Sequence, residues 1–305
     1  MSAPEPPFAQ RAEAVLAGAL IRLLSLLPPV MAARLGGAVT RSIGPLLPVS
    51  QKVGDANLRL AMPELSAPER KRIIRQVWEN LGQTITELVR LKDIREVPQG
   101  APGPGYSIAG WDEHVVPLLE PGKPALFFTG HIGNWEVMPL MADAYGVDFG
   151  FMYRAPSNKL VDEMLARLRR RNYRHNVQMF PKGAAGARAA YAHLRQGGAL
   201  GLLVDQKLDT GVAVPFFGKS AMTMDALASF ALKFRCPVFP IHVRRLGPAR
   251  LEVVCDPALA LPDSADKQAN ALALTNEMNQ TLERWIREQP GDWLWLHRRW
   301  PKGTV

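Results

Sequence analysis

Short apolar runs alternate with helix-like segments through the chain after residue 120. Each run is too short for a helix and is bounded by glycine, proline or polar residues, which is typical of a buried strand. A chain of this kind packs its strands into a sheet and its helices on the faces of that sheet. We therefore predict an α/β fold, with strands at 125–128, 149–153, 177–180, 199–204, 212–217, 238–243 and 251–255 and helices at 135–144, 158–171, 186–196, 223–234 and 266–288.

The first of these strands leads into a segment that carries a histidine and a carboxylate, His131 and Glu136. On one continuous helix these side chains would be about 140° apart around the axis, so they could not meet. They can meet if residues 130–133 form a turn and Glu136 lies in the first turn of the following helix. The carboxylate would then bind one imidazole nitrogen and leave the other as a base near neutral pH. A histidine that only stabilises the fold is the alternative.

Residues 1–50 are predicted to form a separate apolar and amphipathic segment. A helix is expected at 8–27, and the charge-free runs on either side of Arg22 are shorter than the roughly 20 residues that a transmembrane helix needs. A broad apolar face with a narrow polar stripe fits a helix that lies in a membrane interface. A helix packed on the protein's own core shows the same pattern and is the alternative. Residues 30–49 could extend the same surface.

Residues 51–305 are predicted to form the second domain, which begins with a long helix. The segment 66–69 (Ser-Ala-Pro-Glu) is a capping box with proline in the first turn, and the apolar residues after it recur at helical spacing. A loop at 98–105, rich in proline and glycine, separates this helix from the alternating region.

The chain carries 37 basic and 28 acidic residues, which gives a net charge of +9. Such a charge favours anionic partners, for example phospholipid headgroups, an acidic carrier protein or nucleic acid. The sequence has no zinc-finger spacing and no aromatic RNA-binding motif, so we predict no nucleic-acid partner. The histidines show no metal-ligand spacing, and Cys236 and Cys255 form no CxxC pair and are expected to be buried thiols. We predict neither a metal nor a cofactor.

Five segments, in order along the chain, resemble the motifs of one enzyme family. Residues 129–136 (TGHIGNWE) look like the His-x4-acid block of glycerolipid-type acyltransferases. The Gly-Asn-Trp-Glu version is typical of the lauroyl and myristoyl acyltransferases of lipid A biosynthesis in Gram-negative bacteria. Residues 153–158 are similar to the Tyr-Arg…Asn segment of that family, and 169–171 to its basic helix end. Residues 205–223 resemble its third block, and 293–300 (WLWLHRRW) its C-terminal signature.

This resemblance implies a mixed central sheet flanked by helices, preceded by a helical segment that associates with the membrane. It implies transfer of a fatty acyl group from an acyl carrier protein thioester to a hydroxyl of a phosphorylated glycolipid, a lipid A precursor. The expected partners are thus the carrier protein, the acceptor lipid and the membrane surface. The expected location is the cytoplasmic face of the cell inner membrane.

An alcohol becomes a good nucleophile when a base removes its proton, and His131 is expected to be that base. Glu136 is expected to fix the imidazole tautomer and to stabilise the imidazolium. Further residues are expected to bind substrate. An asparagine amide and nearby backbone N–H groups would hold the thioester oxyanion, and arginines would bind phosphate. A polar pair after the strand at 199–204 would orient sugar hydroxyls or organise the site, and a structural hydrogen-bond role is the alternative for this pair. The predicted substrate-binding residues are Asn134, Arg154, Asn158, Arg169, Arg171, Asp205 and Gln206.

Other functions are compatible with the sequence. The acceptor could be a lysophospholipid, an ornithine lipid or a mannosylated phosphoinositide, because Ala155 stands where the family usually has proline. The chain could also be a membrane lipid-binding protein without activity, or a hydrolase in which water replaces the alcohol.

Overall fold

A seven-stranded mixed sheet lies at the centre of the computed structural model, which describes residues 7–175, 177–301 and 303. The strands are β1 Gly105–Ala109, β2 Ala125–Thr129, β3 Phe149–Tyr153, β4 Gln178–Pro181, β5 Ala199–Leu203, β6 Lys207–Phe216, β7 Lys219–Thr223, β8 Val238–Gly247 and β9 Arg250–Cys255. The order in the sheet is β1-β9-β8-β2-β5-β3-β4, and neighbours are parallel except for the antiparallel pair β8–β9. Strands β6 and β7 form a separate antiparallel hairpin. The predicted α/β fold with a mixed sheet and flanking helices is confirmed.

The helices form the layers that cover this sheet. They are α1 Phe8–Ser25, α2 Pro29–Ile43, α3 Pro48–Ala61, α4 Ala67–Val89, α5 Val137–Ala144, α6 Lys159–Asn172, α7 Ala184–Arg195, α8 Ala226–Phe234 and α9 Lys267–Glu288. Helix α4 begins at the predicted capping box, where the Glu69 carboxylate accepts a hydrogen bond from Ser66 N at 2.7 Å.

Strand β2 is buried along its whole length, because its alternate side chains enter two different cores. Phe128 lies 5.9 Å from Trp285 of α9, measured between ring centroids, in the core that also holds α7 and α8. Phe127 faces the other way, 5.0 Å from Phe239 of β8, in the core that also holds α5. A continuous apolar run is what a strand buried on both faces requires.

The N-terminal helices each have one buried and one exposed side. Leu24 of α1 and Ala32 of α2 lie in the same core as Phe127, and the backbones of α2 and α4 approach so closely that a Cβ at Gly36 would lie 2.6 Å from Gly82 O. The alternative that these helices pack on the protein's own core is therefore confirmed for their buried side only. The domain division at residue 50 stays a prediction.

The other side of these helices exposes a run of large apolar residues, which we call the apolar face. The apolar face consists of Phe8, Val15, Leu16, Leu20, Leu23, Leu26, Met31, Leu35, Val39, Ile43, Leu46, Leu47 and Val49. Within the described residues, no helix combines the length and the hydropathy that a membrane crossing requires.

Candidate active site

The carboxyl ends of β2 and β5 bring His131 and Asp205 together. The strands are parallel neighbours with Thr129 paired to Leu203, so both functional residues leave the sheet side by side. The imidazole Nδ1 lies 2.8 Å from Asp205 Oδ1, and His131 N donates to Asp205 Oδ2 at 2.8 Å. Trp293 Nε1 donates to the same Oδ2 at 2.8 Å. An imidazole whose Nδ1–H is bound by a carboxylate keeps a lone pair on Nε2 and can act there as a base.

Asp205 is buried but remains ionised. Burial alone would raise the pKa of its carboxyl, but the charge of His131 and the hydrogen bonds from His131 and Trp293 lower this pKa to about 2. The carboxylate therefore carries its charge at neutral pH, where it stabilises positive charge on the imidazole.

Three side chains surround the other edge of the His131 ring. The Gln206 amide Nε2 lies 3.4 Å from His131 Nε2. The Trp135 ring meets the imidazole edge to face at 4.9 Å between centroids, and the His297 ring is 6.4 Å away. Desolvation and the charge of nearby His131 lower the pKa of His297 below its usual value, which favours the neutral form of this imidazole.

The predicted contact between Glu136 and His131 is wrong, because Asp205 occupies the place expected for the glutamate. The predicted turn is present: Gly133 has φ +57°, and Glu136 is the N-cap of α5. The Glu136 carboxylate instead accepts two hydrogen bonds from one edge of the Arg169 guanidinium, from Nε to Oε2 at 3.0 Å and from Nη2 to Oε1 at 2.5 Å. A planar guanidinium matches a carboxylate through two parallel hydrogen bonds, which a single imidazole N–H does not offer.

A cavity of about 390 Å³ opens beside His131. The polar groups that line it include the imidazole, the Glu136–Arg169 pair and the side chains of Gln206 and His297. Much of the remaining lining is aromatic or aliphatic and comes mainly from β3, α5 and β5. The apolar residues that line it are Met138, Pro139, Phe149, Phe151, Met152, Leu202, Leu203, Leu208 and Met224.

The sequence model of the bacterial lipid A biosynthesis acyltransferase family matches residues 8–302 of this chain. The chain belongs to this family. It is therefore an acyltransferase. Among solved structures, the crystal structure of the 1-acyl-sn-glycerophosphate acyltransferase PlsC from Thermotoga maritima is similar at 11% identity, with a TM-score of 0.39 and coverage of 79% of this chain and 95% of that chain. No curated protein sequence matches the chain significantly.

Asn134 of this acyltransferase was predicted to bind substrate, but its amide is buried away from the cavity. The side chain has 0% exposure, with Nδ2 donating to Glu87 Oε2 at 2.8 Å and Oδ1 accepting from Glu136 N at 3.1 Å. Both ends of the amide are thus used inside the protein. The predicted oxyanion role of this side chain is wrong, because the amide is fully buried and does not line the cavity.

Asn158 and Arg171 also lie away from the cavity of the acyltransferase. Asn158 caps α6 by accepting from Leu160 N at 3.1 Å, and its Nδ2 donates to Gln10 O and Glu13 Oε2 of α1, each at 2.9 Å. Its predicted substrate contact is therefore wrong: the side chain fastens α1 to α6. Arg171 is exposed near the end of α6 and does not line the cavity.

Arg154, Arg169 and Gln206 all line the cavity, as expected for residues that meet substrate. Arg169 is neutralised by Glu136, whereas Arg154 is exposed and forms no ion pair with an acidic group in the described residues. Lys182, which the sequence analysis did not select, lines the same rim and likewise has no acidic partner there. Lys207 pairs with Asp209 at 2.6 Å.

Two functional contacts from the C-terminal signature were not assigned from sequence. Trp293 holds Asp205, and His297 lines the cavity next to His131. The motif WLWLHRRW marked this segment, but its contacts depend on how the chain folds back to residue 131: Leu294 N donates to His131 O at 3.0 Å. Across the described ranges, no group of three or more His, Cys, Asp or Glu side chains is arranged to hold a metal ion.

Proposed function

We propose that this acyltransferase moves a fatty acyl group from an acyl carrier protein thioester to a hydroxyl of a phosphorylated glycolipid, a lipid A precursor. One observation carries the proposal: His131, held by Asp205, lines a cavity that apolar side chains and exposed basic side chains also line. An apolar cavity suits a fatty chain, and a basic rim suits phosphate, so the reacting atoms of both substrates would meet at the imidazole.

The base in this reaction is His131 Nε2. It takes the proton of the acceptor hydroxyl as that oxygen attacks the thioester carbonyl, and Asp205 stabilises the imidazolium that forms. Collapse of the tetrahedral intermediate breaks the C–S bond, and the imidazolium returns its proton to the leaving thiolate. The products are an ester and a free thiol, and His131 returns to its starting state.

Direct transfer is favoured over an acyl-enzyme, because the cysteines are poor nucleophiles. Both are buried, and neither lines the cavity. Burial raises the pKa of Cys236 to about 11 and that of Cys255 to about 12, so both stay protonated at neutral pH.

Arg154 and Lys182 are the proposed phosphate contacts. Both lie on the cavity rim, and neither forms an ion pair with an acidic side chain of the described structure. Their charges are thus available to an anionic group. Arg169 is a weaker candidate, because an incoming phosphate would have to displace the Glu136 carboxylate from it.

The apolar face is proposed to lie on the cytoplasmic face of the cell inner membrane. Leaving so many large apolar side chains in water costs free energy, whereas a bilayer interface would bury them. Arg22 and Arg34 are exposed on the same two helices and would meet anionic headgroups. Deleting residues 1–35 is expected to shift the protein from the membrane to the soluble fraction, and retention on membranes would contradict this placement.

The decisive experiment incubates the full chain in membrane vesicles with a fatty acyl carrier protein thioester and a panel of acceptors. The panel holds a lipid A precursor, a lysophospholipid, an ornithine lipid and a mannosylated phosphoinositide, and products are identified by mass spectrometry. Acylation of the lipid A precursor, lost in His131→Ala and kept in the control Cys236→Ala, would support the proposal. Acylation of only another lipid in the panel would mean that this lipid, and not the lipid A precursor, is the acceptor. Release of free fatty acid alone would favour hydrolysis.

A further inference from the structure

A buried ion pair outside the cavity holds the turn that carries His131. Glu87 of α4 has 0% exposure, and its carboxylate faces the guanidinium of Arg245 on β8. The Nη1–Oε1 distance is 2.6 Å, and the Nη2–Oε2 distance is 2.9 Å. Ala249 N also donates to Glu87 Oε1 at 2.8 Å. Every oxygen of this carboxylate is therefore satisfied without water.

The third partner of Glu87 is the catalytic turn itself. Asn134 Nδ2 donates to Glu87 Oε2 at 2.8 Å, and the other end of that amide accepts from Glu136 N at 3.1 Å. One side chain thus connects the buried carboxylate to the start of α5. Since Glu136 in turn holds Arg169 at the cavity wall, the connection reaches the substrate side of the turn.

The same helix holds the backbone of the turn at Gly133. Its carbonyl accepts from Asn80 Nδ2 at 3.2 Å and from Thr84 Oγ1 at 3.1 Å. Arg245 donates to both of these side chains, to Thr84 Oγ1 at 3.1 Å and to Asn80 Oδ1. Asn80, Thr84 and Glu87 are separated by four and three positions, so they form one stripe of α4 that faces the turn.

Stability alone is a poor reason for such an arrangement. A buried ion pair loses most of its Coulomb attraction to desolvation, and apolar side chains of similar size are often as stabilising. What an apolar pair could not do is hold Asn134 and the Gly133 carbonyl in one orientation. The turn is held from α4: the Gly133 carbonyl binds Asn80 and Thr84, and Asn134 binds Glu87.

We infer that Glu87 and Arg245 are positioning residues: their ion pair fixes Asn134 and Gly133, and thereby the orientation of His131 toward Asp205 and the cavity. The inference rests on the proposed function for its kinetic readout. Neither residue lines the cavity, so the pair acts through the turn rather than on substrate.

The test compares three variants of the full chain. Asn134→Ala removes the connection and keeps the ion pair. The double variant Glu87→Met with Arg245→Met removes the charges together, so no unpaired charge is left buried. The control is Arg70→Gln, which breaks another ion pair of α4, with Asp55 at 2.7 Å, that has no bond to the turn.

Two readouts separate positioning from folding: the kcat and KM values for acyl transfer, and the 15N chemical shifts of the His131 ring, which report its tautomer. We expect Asn134→Ala and the double variant to lower kcat about 100-fold, as a misplacement of about 1 Å does, with KM for the acyl donor changed less than about threefold. The His131 ring should lose its single Nδ1–H tautomer in both. Arg70→Gln should keep the wild-type kcat and tautomer.

Wild-type kcat and a single Nδ1–H tautomer in Asn134→Ala would overturn the inference, and so would an equal loss in Arg70→Gln. If the double variant does not fold, Asn134→Ala decides alone. If the wild-type protein transfers no acyl group at all, the proposed function fails, and the nitrogen shifts still decide whether the ion pair orients the histidine.

Discussion

The pairing of His131 with Asp205 predicts that Asp205→Asn strongly reduces catalysis, although the two side chains have nearly the same size and pack alike. Asp205 accepts three hydrogen bonds, from His131 N, His131 Nδ1 and Trp293 Nε1. An asparagine has one oxygen and one NH2 group, so one of these donors would face another donor. The conflict is relieved if the imidazole moves its proton to Nε2. That tautomer has no lone pair where the acceptor hydroxyl must be deprotonated.

The expected size of the effect follows from the carboxyl pKa. It falls from 3.8 to about 2 in the folded protein. Nearly two units correspond to about 2–3 kcal/mol, at about 1.4 kcal/mol per unit, as the net of desolvation and the interactions with the charged imidazole and the donors. Losing this net stabilisation as the imidazolium forms would slow transfer about 60-fold, and the wrong tautomer adds to this loss. We therefore expect kcat to fall by about 10²–10⁴-fold, the range attributed to a positioned general base.

The assay is steady-state transfer from a radiolabelled acyl carrier protein thioester, with Glu136→Gln as the matched control. Glu136→Gln removes a carboxylate from the same cavity but leaves His131 Nδ1 bound, so its kcat should stay within about tenfold of wild type while substrate KM rises. A larger loss of kcat in Glu136→Gln than in Asp205→Asn would refute this reasoning. It would mean that the carboxylate next in sequence, rather than the one across the sheet, orients the base.

The other predictions concern stability and substrate size. Gly133→Ala should lower the free energy of unfolding by more than about 2 kcal/mol, because its Cβ would lie 2.0 Å from Val243 O. The control Gly146→Ala, at φ +69° with no atom within 4 Å, should lower it by only about 1 kcal/mol through backbone strain. Denaturant unfolding measures both. Because the pKa of Asp205 is lowered, its contribution of about 2 kcal/mol is present above pH 3.8 and is lost as the pH falls toward 2, so unfolding curves across this range should depend less on pH in Asp205→Asn. Phe151→Ala enlarges the cavity and should shift products toward longer acyl chains, by about fourfold per methylene at about 0.8 kcal/mol each; an unchanged chain-length profile in the mass spectrum would contradict the assignment of this cavity to the fatty chain.

The elements that follow from local pattern were predictable from the sequence. The strand at 149–153 has the predicted bounds, α6 differs from prediction by one residue at each end, and α9 by one residue at its start only. Strands β1 and β7 were missed, because both are short: β1 follows a loop of glycine and proline, and β7 is the second strand of a hairpin that contains polar residues. Such strands form because a neighbour is present, and for β1 that neighbour, β9, is far away in the sequence.

The site could be predicted only in part, for the same reason. His131 was found because a strand, a glycine and a histidine are adjacent in sequence. Its partner is separated from it by α5, β3, α6, β4, α7 and β5, and only the β2–β5 register places Asp205 beside it. Spacing alone favoured Glu136, and the preference of that carboxylate for Arg169 depends on where α6 packs. Asn158 was assigned to substrate, although asparagine before a helix is also a common cap.

The bridge between Ile132 and Trp293 has a consequence for how the enzyme is made. His131 is translated early, Asp205 later, and Trp293, which binds Asp205, among the last residues described. On the ribosome, the N-terminal helices are therefore complete long before the histidine has its full set of partners. If the apolar face binds a membrane, as proposed, it can do so while the chain is still growing. The proposed base gains Asp205 and Trp293 only after the segment around residue 293 has emerged and folded back. Under the proposed function, membrane binding could therefore precede activity during synthesis.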